Sequence, residues 1–235
     1  MAQRALSDLL EAAFLRCRDL QAPLAERLKA FAEEVRPTDP RFSETVDALI
    51  GRLAESGAGS AAPKVGEPLP PFLLPDESGR LTGLDDLLSE GPVAIAFHFG
   101  HWCPYCRINI RALAQAAMQI APERRQIAAI VPERQKFTAW MKKEAAAPFP
   151  VLSDMGGGYA TSLGLAIWVG EEMKDMIAQS GWDPAASQGT RNWVLPIPAT
   201  FVVGTDGIVT ARFLDPDYRK RMAIEDLVAA LRSTR

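Results

Sequence analysis

The feature that most restricts the fold is a nearly unbroken apolar run, Val93-Ala94-Ile95-Ala96-Phe97-His98-Phe99, which is followed after Gly100-His101-Trp102 by Cys103-Pro104-Tyr105-Cys106. A run without polar alternation suits a central strand buried on both faces, and such strands belong to sheets covered by helices on each side. A helix is expected from about Cys103 to Ile120, so the cysteine pair falls where a buried strand passes into a helix.

The same alternation recurs along the chain. Ile127–Val131 reads as another buried strand, Phe137–Ala147 as a helix ended by Pro148, and Pro150–Leu152 as a short strand with a helix over Tyr159–Leu163 behind it. Thr200–Val203 and Val209–Phe213 are strands joined by a tight turn at Asp206-Gly207, and Ile224–Leu231 is a closing helix. Upstream, Phe72–Leu74, a turn at Asp76–Gly79 and Leu81 precede a short helix over Asp85–Leu88 that Gly91-Pro92 ends. Strands interleaved with helices predict a largely parallel sheet with an antiparallel terminal hairpin. The stretch between Leu163 and Pro198, with Trp168, Trp182 and Trp193, has no clear period and reads as irregular. Its tryptophans suit core or lid packing, with the wall of a substrate groove as the alternative. Gly156-Gly157-Gly158 lacks a following G-K-[ST] and reads as a turn.

The N-terminal part has a different texture. Leu6, Leu9, Leu10, Ala13, Phe14, Cys17 and Leu20 recur at three- and four-residue intervals. A second helix is expected over Leu24–Val35, and a third after Ser43 with Val46, Leu49, Ile50 and Leu53 on one side. Small aperiodic residues from Gly57 to Pro63 read as a linker. The expected organisation is a helical arm at 1–57, a linker at 58–64 and an α/β domain at 65–235. The arm's apolar face needs cover, from the domain or from a second subunit in a homodimer.

Composition narrows the function. With 26 Lys and Arg against 29 Asp and Glu and no basic stripe, nucleic acid is not an expected partner. No run approaches the ~18–20 apolar residues of a membrane span. Asp8 and Glu11 interrupt the only candidate secretion signal, so the expected location is the cytoplasm. Three cysteines are too few for a disulfide framework, and in a reducing compartment a close pair reads as catalytic or metal-binding.

The position of the pair favours catalysis. Unpaired N–H groups and the dipole at a helix N-terminus stabilise a thiolate, which is the nucleophilic form of cysteine. Cys106 lies one turn beyond Cys103 and can close a disulfide with it, and Pro104 is tolerated in a first turn. His98 and His101 give a competing zinc reading, with four ligand types in one short segment that has little room to wrap; His98 alone suits a satisfied buried histidine. Cys17 reads as a small buried hydrophobe, with an intermolecular resolving cysteine as the alternative. Arg107 and Arg191 could lend positive potential to a thiolate, although each also suits a solvated surface.

These residues carry a resemblance. Cys103-Pro104-Tyr105-Cys106 is identical to the glutaredoxin motif, and Trp102 before the pair resembles thioredoxin. Val65–Asp76, Gly91-Pro92-Val93, Phe149–Asp154, Leu195–Val203 and Asp215–Tyr218 resemble, in order, the alkyl hydroperoxide reductase/thiol-specific antioxidant family, in its peroxiredoxin-like branch. The resemblance implies a thioredoxin-like, peroxiredoxin-type sheet flanked by helices. It matches Pro198 to the cis-proline facing the dithiol, which would offer the backbone of Ile197 to a substrate sulfur; an ordinary trans proline is the alternative. Trp102, Pro104, Tyr105, Ile197 and Pro198 are thus expected to support Cys103 and Cys106.

Typical members place a proline seven and a threonine three residues before the attacking cysteine, and an arginine near the last strands. Counted back from Cys106 those positions hold Phe99 and Cys103, and the arginine's place holds proline. The family register makes Cys106 the attacker; the thioredoxin register, and the expected exposure, make it Cys103. The resemblance implies hydroperoxide reduction through a dithiol-disulfide cycle, recycled by a thioredoxin- or glutathione-type donor without a bound cofactor. A disulfide reductase acting on proteins and a metal-binding or redox-sensing module are the alternatives.

Overall fold

The computed structural model describes the backbone of residues 2–190 and 193–235, and side chains from Asp8 onward. The expectations for Arg191 and for the Leu6 side chain lie outside the described residues. The chain starts with three helices, α1 (Ala2–Arg18), α2 (Leu24–Val35) and α3 (Pro40–Glu55). Helix α3 begins before the expected start after Ser43, because Asp39 caps it, accepting from the Phe42 N–H at 2.9 Å, with Pro40 in the first turn.

A small ribbon, β1 (Leu73–Pro75) with β2 (Leu81–Gly83), and α4 (Leu84–Glu90) lead to β3 (Val93–Phe97), every residue of which is buried. Next come α5 (Pro104–Ile120), β4 (Gln126–Val131), α6 (Gln135–Ala145), β5 (Val151–Ser153) and α7 (Gly158–Ser162). The expected irregular stretch contains short elements: β6 (Ala166–Trp168), α8 (Glu171–Gln179), α9 (Pro184–Gln188) and β7 (Val194–Pro196), with β6 and β7 paired antiparallel. The chain ends with β8 (Ala199–Val203), β9 (Val209–Leu214) and α10 (Ile224–Ser233).

The main sheet has the order β5-β4-β3-β8-β9. Its β3–β4 and β4–β5 pairs are parallel, and β3–β8 and β8–β9 are antiparallel. The sheet is therefore mixed, not largely parallel as expected. The cause lies after β5. The elements between β5 and β8 leave the chain at the edge where the parallel strands end, so β8 enters from there and runs antiparallel to β3. That brings the insertion and the segment before β8 to the edge where β3 delivers the dithiol.

The arm's apolar face is covered by its own domain. Ala13, Phe14 and Cys17 of α1 and Leu28 and Phe31 of α2 are buried in the same cluster as Trp102, Cys103 and Tyr105, whereas Leu9 and Leu20 stay exposed. The segment expected as a linker is packed as well. Ala62 is buried, and Arg212 donates to the Ala62 and Pro63 carbonyls at 2.9 and 2.8 Å.

One residue ties the arm to the helix that carries the dithiol. Arg107 is buried, in contrast to the solvated surface position expected for it. It donates to both carboxylate oxygens of Glu11 in α1, at 2.8 and 2.9 Å, and to Glu144 in α6 at 2.8 Å. Its guanidinium also lies 3.7 Å from the centroid of the Phe14 ring. A charge this enclosed is tolerated because both partners neutralise it, and removing it leaves them facing each other. Arg107→Met is expected to cost about 3 kcal/mol in chemical denaturation and to expose α1 first to limited proteolysis. An unchanged midpoint would show that the arm is held by apolar packing alone.

Candidate active site

After β3 the chain runs through His98–Trp102 and enters α5 with Cys103 at the N-cap, in extended conformation at φ −89° and ψ 112°. Pro104 occupies the first turn, where no N–H is needed, and Cys106 lies in that turn. Two features fix the entry loop. Gly100 has φ 146°, and a Cβ there would come within 2.5 Å of the Glu133 carboxyl. That buried carboxylate takes the His101 backbone N–H at 2.7 Å and contacts His101 Nδ1 at 2.7 Å. His101 in turn stacks on Phe137 with ring centroids 4.3 Å apart.

Both sulfurs of the pair are reduced and buried, with Cys103 2% and Cys106 0% exposed. Their environments differ. Burial pushes the Cys106 thiol up, but the Cys103 S–H, the Arg221 guanidinium and the backbone N–H groups of Phe99 and Gly100 outweigh it and hold it at about 7. The Phe99 N–H lies 3.4 Å from Cys106 Sγ and Arg221 Nη2 lies 3.6 Å from it. Cys103 is pushed well above the ordinary thiol range by burial and by the neighbouring Cys106 sulfur. Electrostatics therefore favours the negative charge on Cys106 and the proton on Cys103 once the pair has lost its first proton.

Access runs the other way. A cavity of about 240 Å³ is bordered by Cys103, Pro104, Tyr105, Trp102 and Phe99, and Cys106 is not among the residues that line it. Phe99 and Trp102 stack with centroids 6.0 Å apart, and Tyr218 packs 5.1 Å from Phe99 and 5.5 Å from Tyr105. Burial raises the phenol pKa of both Tyr105 and Tyr218, and the Cys103 sulfur adds to the shift in each, so both phenols near this thiol stay protonated.

The support expected from Ile197 and Pro198 takes another form. Among the described residues no peptide bond is cis, so the expected cis bond before Pro198 is trans. The Ile197 N–H donates to the Leu165 carbonyl at 2.7 Å, which extends the β6–β7 pairing and occupies the donor that a substrate strand would use. Trp182 lines the cavity, Trp193 is buried in the cluster around the dithiol, and Trp168 is exposed.

The residues suggested as metal ligands do not converge. His98 Nε2 accepts from the Asn109 amide at 3.0 Å, and Nδ1 then donates to the Ala96 carbonyl at 3.1 Å. Burial, helped by the Arg221 charge, pulls its pKa down to about 3, so the ring is neutral. No three His, Cys, Asp or Glu side chains gather into a metal-holding group among the described residues. Cys17 lies in the arm's core, 3.8 Å from a Glu34 carboxylate oxygen, and burial raises its pKa.

Sequence reasoning missed Arg221, Glu133 and the role of Tyr218. Arg221 is 115 residues from Cys106, so no local spacing could link them. Of the two arginines considered for positive potential, Arg107 is committed to Glu11 and Glu144, and Arg191 lies outside the described residues. The guanidinium beside Cys106 comes from the segment between β9 and α10.

A dithiol at a strand-to-helix junction of a mixed sheet flanked by helices is the arrangement of a thioredoxin-like redox protein. Residues 65–212 match the AhpC/TSA family, and the chain belongs to it. Membership makes it a thiol-dependent antioxidant oxidoreductase. Among solved structures it is similar to peroxidoxin BcpB from Mycobacterium tuberculosis at 24% identity and a TM-score of 0.57, covering 74% of this chain and 99% of that one. The bacterioferritin comigratory protein of Xanthomonas campestris shares the fold at 13% identity and a TM-score of 0.53, covering 69% of this chain and 90% of that one. A mutant of peroxiredoxin 6 from Arenicola marina matches at 16% identity and a TM-score of 0.55, covering 72% of each chain. A search of curated proteins gives no match. No helix among the described residues is long and apolar enough to cross a membrane.

The Cys106 charge makes oxidation pH-dependent. The thiolate fraction grows as pH rises through the pair's first ionisation, so the rate of dithiol oxidation by a hydroperoxide should climb and level off with an inflection near 7. Arg221→Leu removes a stabilising charge and should move that inflection upward, slowing the reaction at pH 7 by roughly fivefold if the shift is about one unit, because the thiolate fraction there falls from about a half to about a tenth. Stopped-flow tryptophan fluorescence across pH reads both values, and an unmoved inflection would remove Arg221 from the account.

Proposed function

We propose that the protein reduces small hydroperoxides with Cys103 as the attacking sulfur and Cys106 as its base and resolving partner. The observation that carries this reading is the split between access and charge. The cavity reaches Cys103, while the thiolate is stabilised one turn behind it. Proton transfer from Cys103 to Cys106 across their S–H···S contact places the charge on the sulfur that meets substrate. That sulfur attacks the terminal oxygen of the hydroperoxide and breaks the O–O bond, giving a Cys103 sulfenic acid and an alkoxide. The alkoxide takes the Cys106 proton and leaves as alcohol. Cys106 thiolate then displaces hydroxide from the sulfenic acid, which picks up a proton as water and leaves the Cys103–Cys106 disulfide. The sum is dithiol plus hydroperoxide giving disulfide, alcohol and water.

The depth of the pair favours a peroxide over a protein disulfide as oxidant. Attack on a folded protein's disulfide needs a sulfur at the surface, and neither thiol is more than 2% exposed under the arm. A thiol donor of thioredoxin or glutathione type returns the two electrons, and the closed arm favours the smaller one. The cytoplasm, where such donors keep thiols reduced, suits this cycle. Because α1 and α2 are covered by the domain itself, the reading requires no second subunit.

The test is hydroperoxide-dependent NADPH oxidation coupled through either thioredoxin with its reductase or glutathione with its reductase. Turnover is expected in the wild type and in neither Cys103→Ser nor Cys106→Ser. A dimedone-trapped sulfenate should form once in Cys106→Ser and not in Cys103→Ser. Sulfenate on Cys106 in the Cys103→Ser variant would reverse the assignment. Disulfide reduction by the wild type with no response to peroxide would replace the peroxidase reading with that of a general dithiol reductase.

A further inference from the structure

The family match begins at residue 65 and so says nothing about the arm. Yet the arm builds one side of the cavity over Cys103. Phe31 of α2 and Val46 and Leu49 of α3 face the dithiol loop, and Met173 and Ile177 of α8 close a further side. Phe31 meets the Tyr105 ring edge-on with centroids 5.0 Å apart, so the arm touches the C-P-Y-C motif directly. Charged residues such as Lys29, Glu33, Arg36 and Arg219 also border the cavity, and at the dithiol the lining consists of Cys103, Tyr105 and Tyr218, both tyrosines protonated.

Size and polarity together indicate what fits. About 240 Å³ is open to the centres of water molecules, many times the roughly 10–15 Å³ that one water needs. Hydrogen peroxide, with two heavy atoms, would leave most of it to water held against apolar walls that offer it few hydrogen bonds. A molecule with a polar head and a compact apolar body fills both ends, as small-ligand cavities with a few convergent polar groups do.

We propose that the helical arm is the substrate-selecting element of this enzyme, forming an apolar wall of a partly open cavity that takes a hydroperoxide with a compact apolar body such as cumyl. The hydroperoxyl group lies between Cys103 and the Tyr105 and Tyr218 phenols, and the body lies against Phe31, Val46 and Leu49. This rests on the peroxidase reading above and adds the part of the chain that selects among hydroperoxides. Selection arises because the body displaces water from the apolar wall, a gain that hydrogen peroxide cannot make.

The experiment compares kcat/KM for cumene hydroperoxide and hydrogen peroxide in the full-length protein, using the coupled assay. The wild type is expected to favour cumene hydroperoxide by at least tenfold. Val46→Phe, which fills the cavity, should lower that ratio at least fivefold, and Leu49→Phe on the same wall is a second filling variant should the first fail to fold by thermal melting. A wild-type ratio near one, or a ratio unmoved by a folded filling variant, overturns the inference and leaves the peroxidase reading standing. No turnover of either peroxide overturns both.

Discussion

The candidate site turns on how a negative charge on the buried Cys106 sulfur can be stabilised out of water. A thiolate beneath a helical arm would be costly if it faced only apolar side chains, since burial alone drives a thiol toward its neutral form. Around Cys106 that cost is offset by the Arg221 guanidinium, two backbone N–H groups of the entry loop and the S–H of Cys103. Each comes from a different part of the chain. The loop is fixed by Gly100 and Glu133, the S–H sits at the N-cap of α5, and Arg221 comes from the segment between β9 and α10. The charge therefore links the sheet, the helix and the C-terminal segment into one site.

The arm bears on that site in two ways. Its apolar residues form part of the wall near Cys103, and Glu11 reaches down to Arg107, the residue next to Cys106 in α5. Arg107 is paired with Glu11 and Glu144 while Arg221 lies 3.6 Å from Cys106 Sγ, so the two arginines near the dithiol have different partners. Keeping them apart matters, because a guanidinium committed to two carboxylates has little positive potential left for a thiolate.

Much of this was legible in the sequence wherever the signal was local. The bounds of α2 at Leu24–Val35 follow from its apolar spacing, and β3 with α5 follows from the apolar run and the cysteine pair. His98 reads correctly as a satisfied buried ring. Local signals fail where the answer is set by packing. The direction of β8 depends on an insertion whose elements are too short to show a period, so a mixed sheet reads as largely parallel. Cys103 is the more accessible of the two sulfurs, as its place at the helix start implies, but the extent of its burial beneath the arm has no local signal. The counter-charge was sought within the motif and its aligned partners, yet Arg221 reaches Cys106 only through the fold. Ile197 is near the dithiol as the resemblance implies, but its N–H is spent on Leu165.

The central claim is that Cys103 and Cys106 act as one two-electron unit beneath the arm. The most direct measurement adds a single equivalent of cumene hydroperoxide to the fully reduced protein, then alkylates it and maps the cysteine peptides by mass spectrometry while the alcohol released is quantified. The account expects one equivalent of alcohol, a Cys103–Cys106 disulfide, and Cys17 still alkylated as a free thiol. Unconsumed hydroperoxide, or a disulfide that includes Cys17, would contradict it.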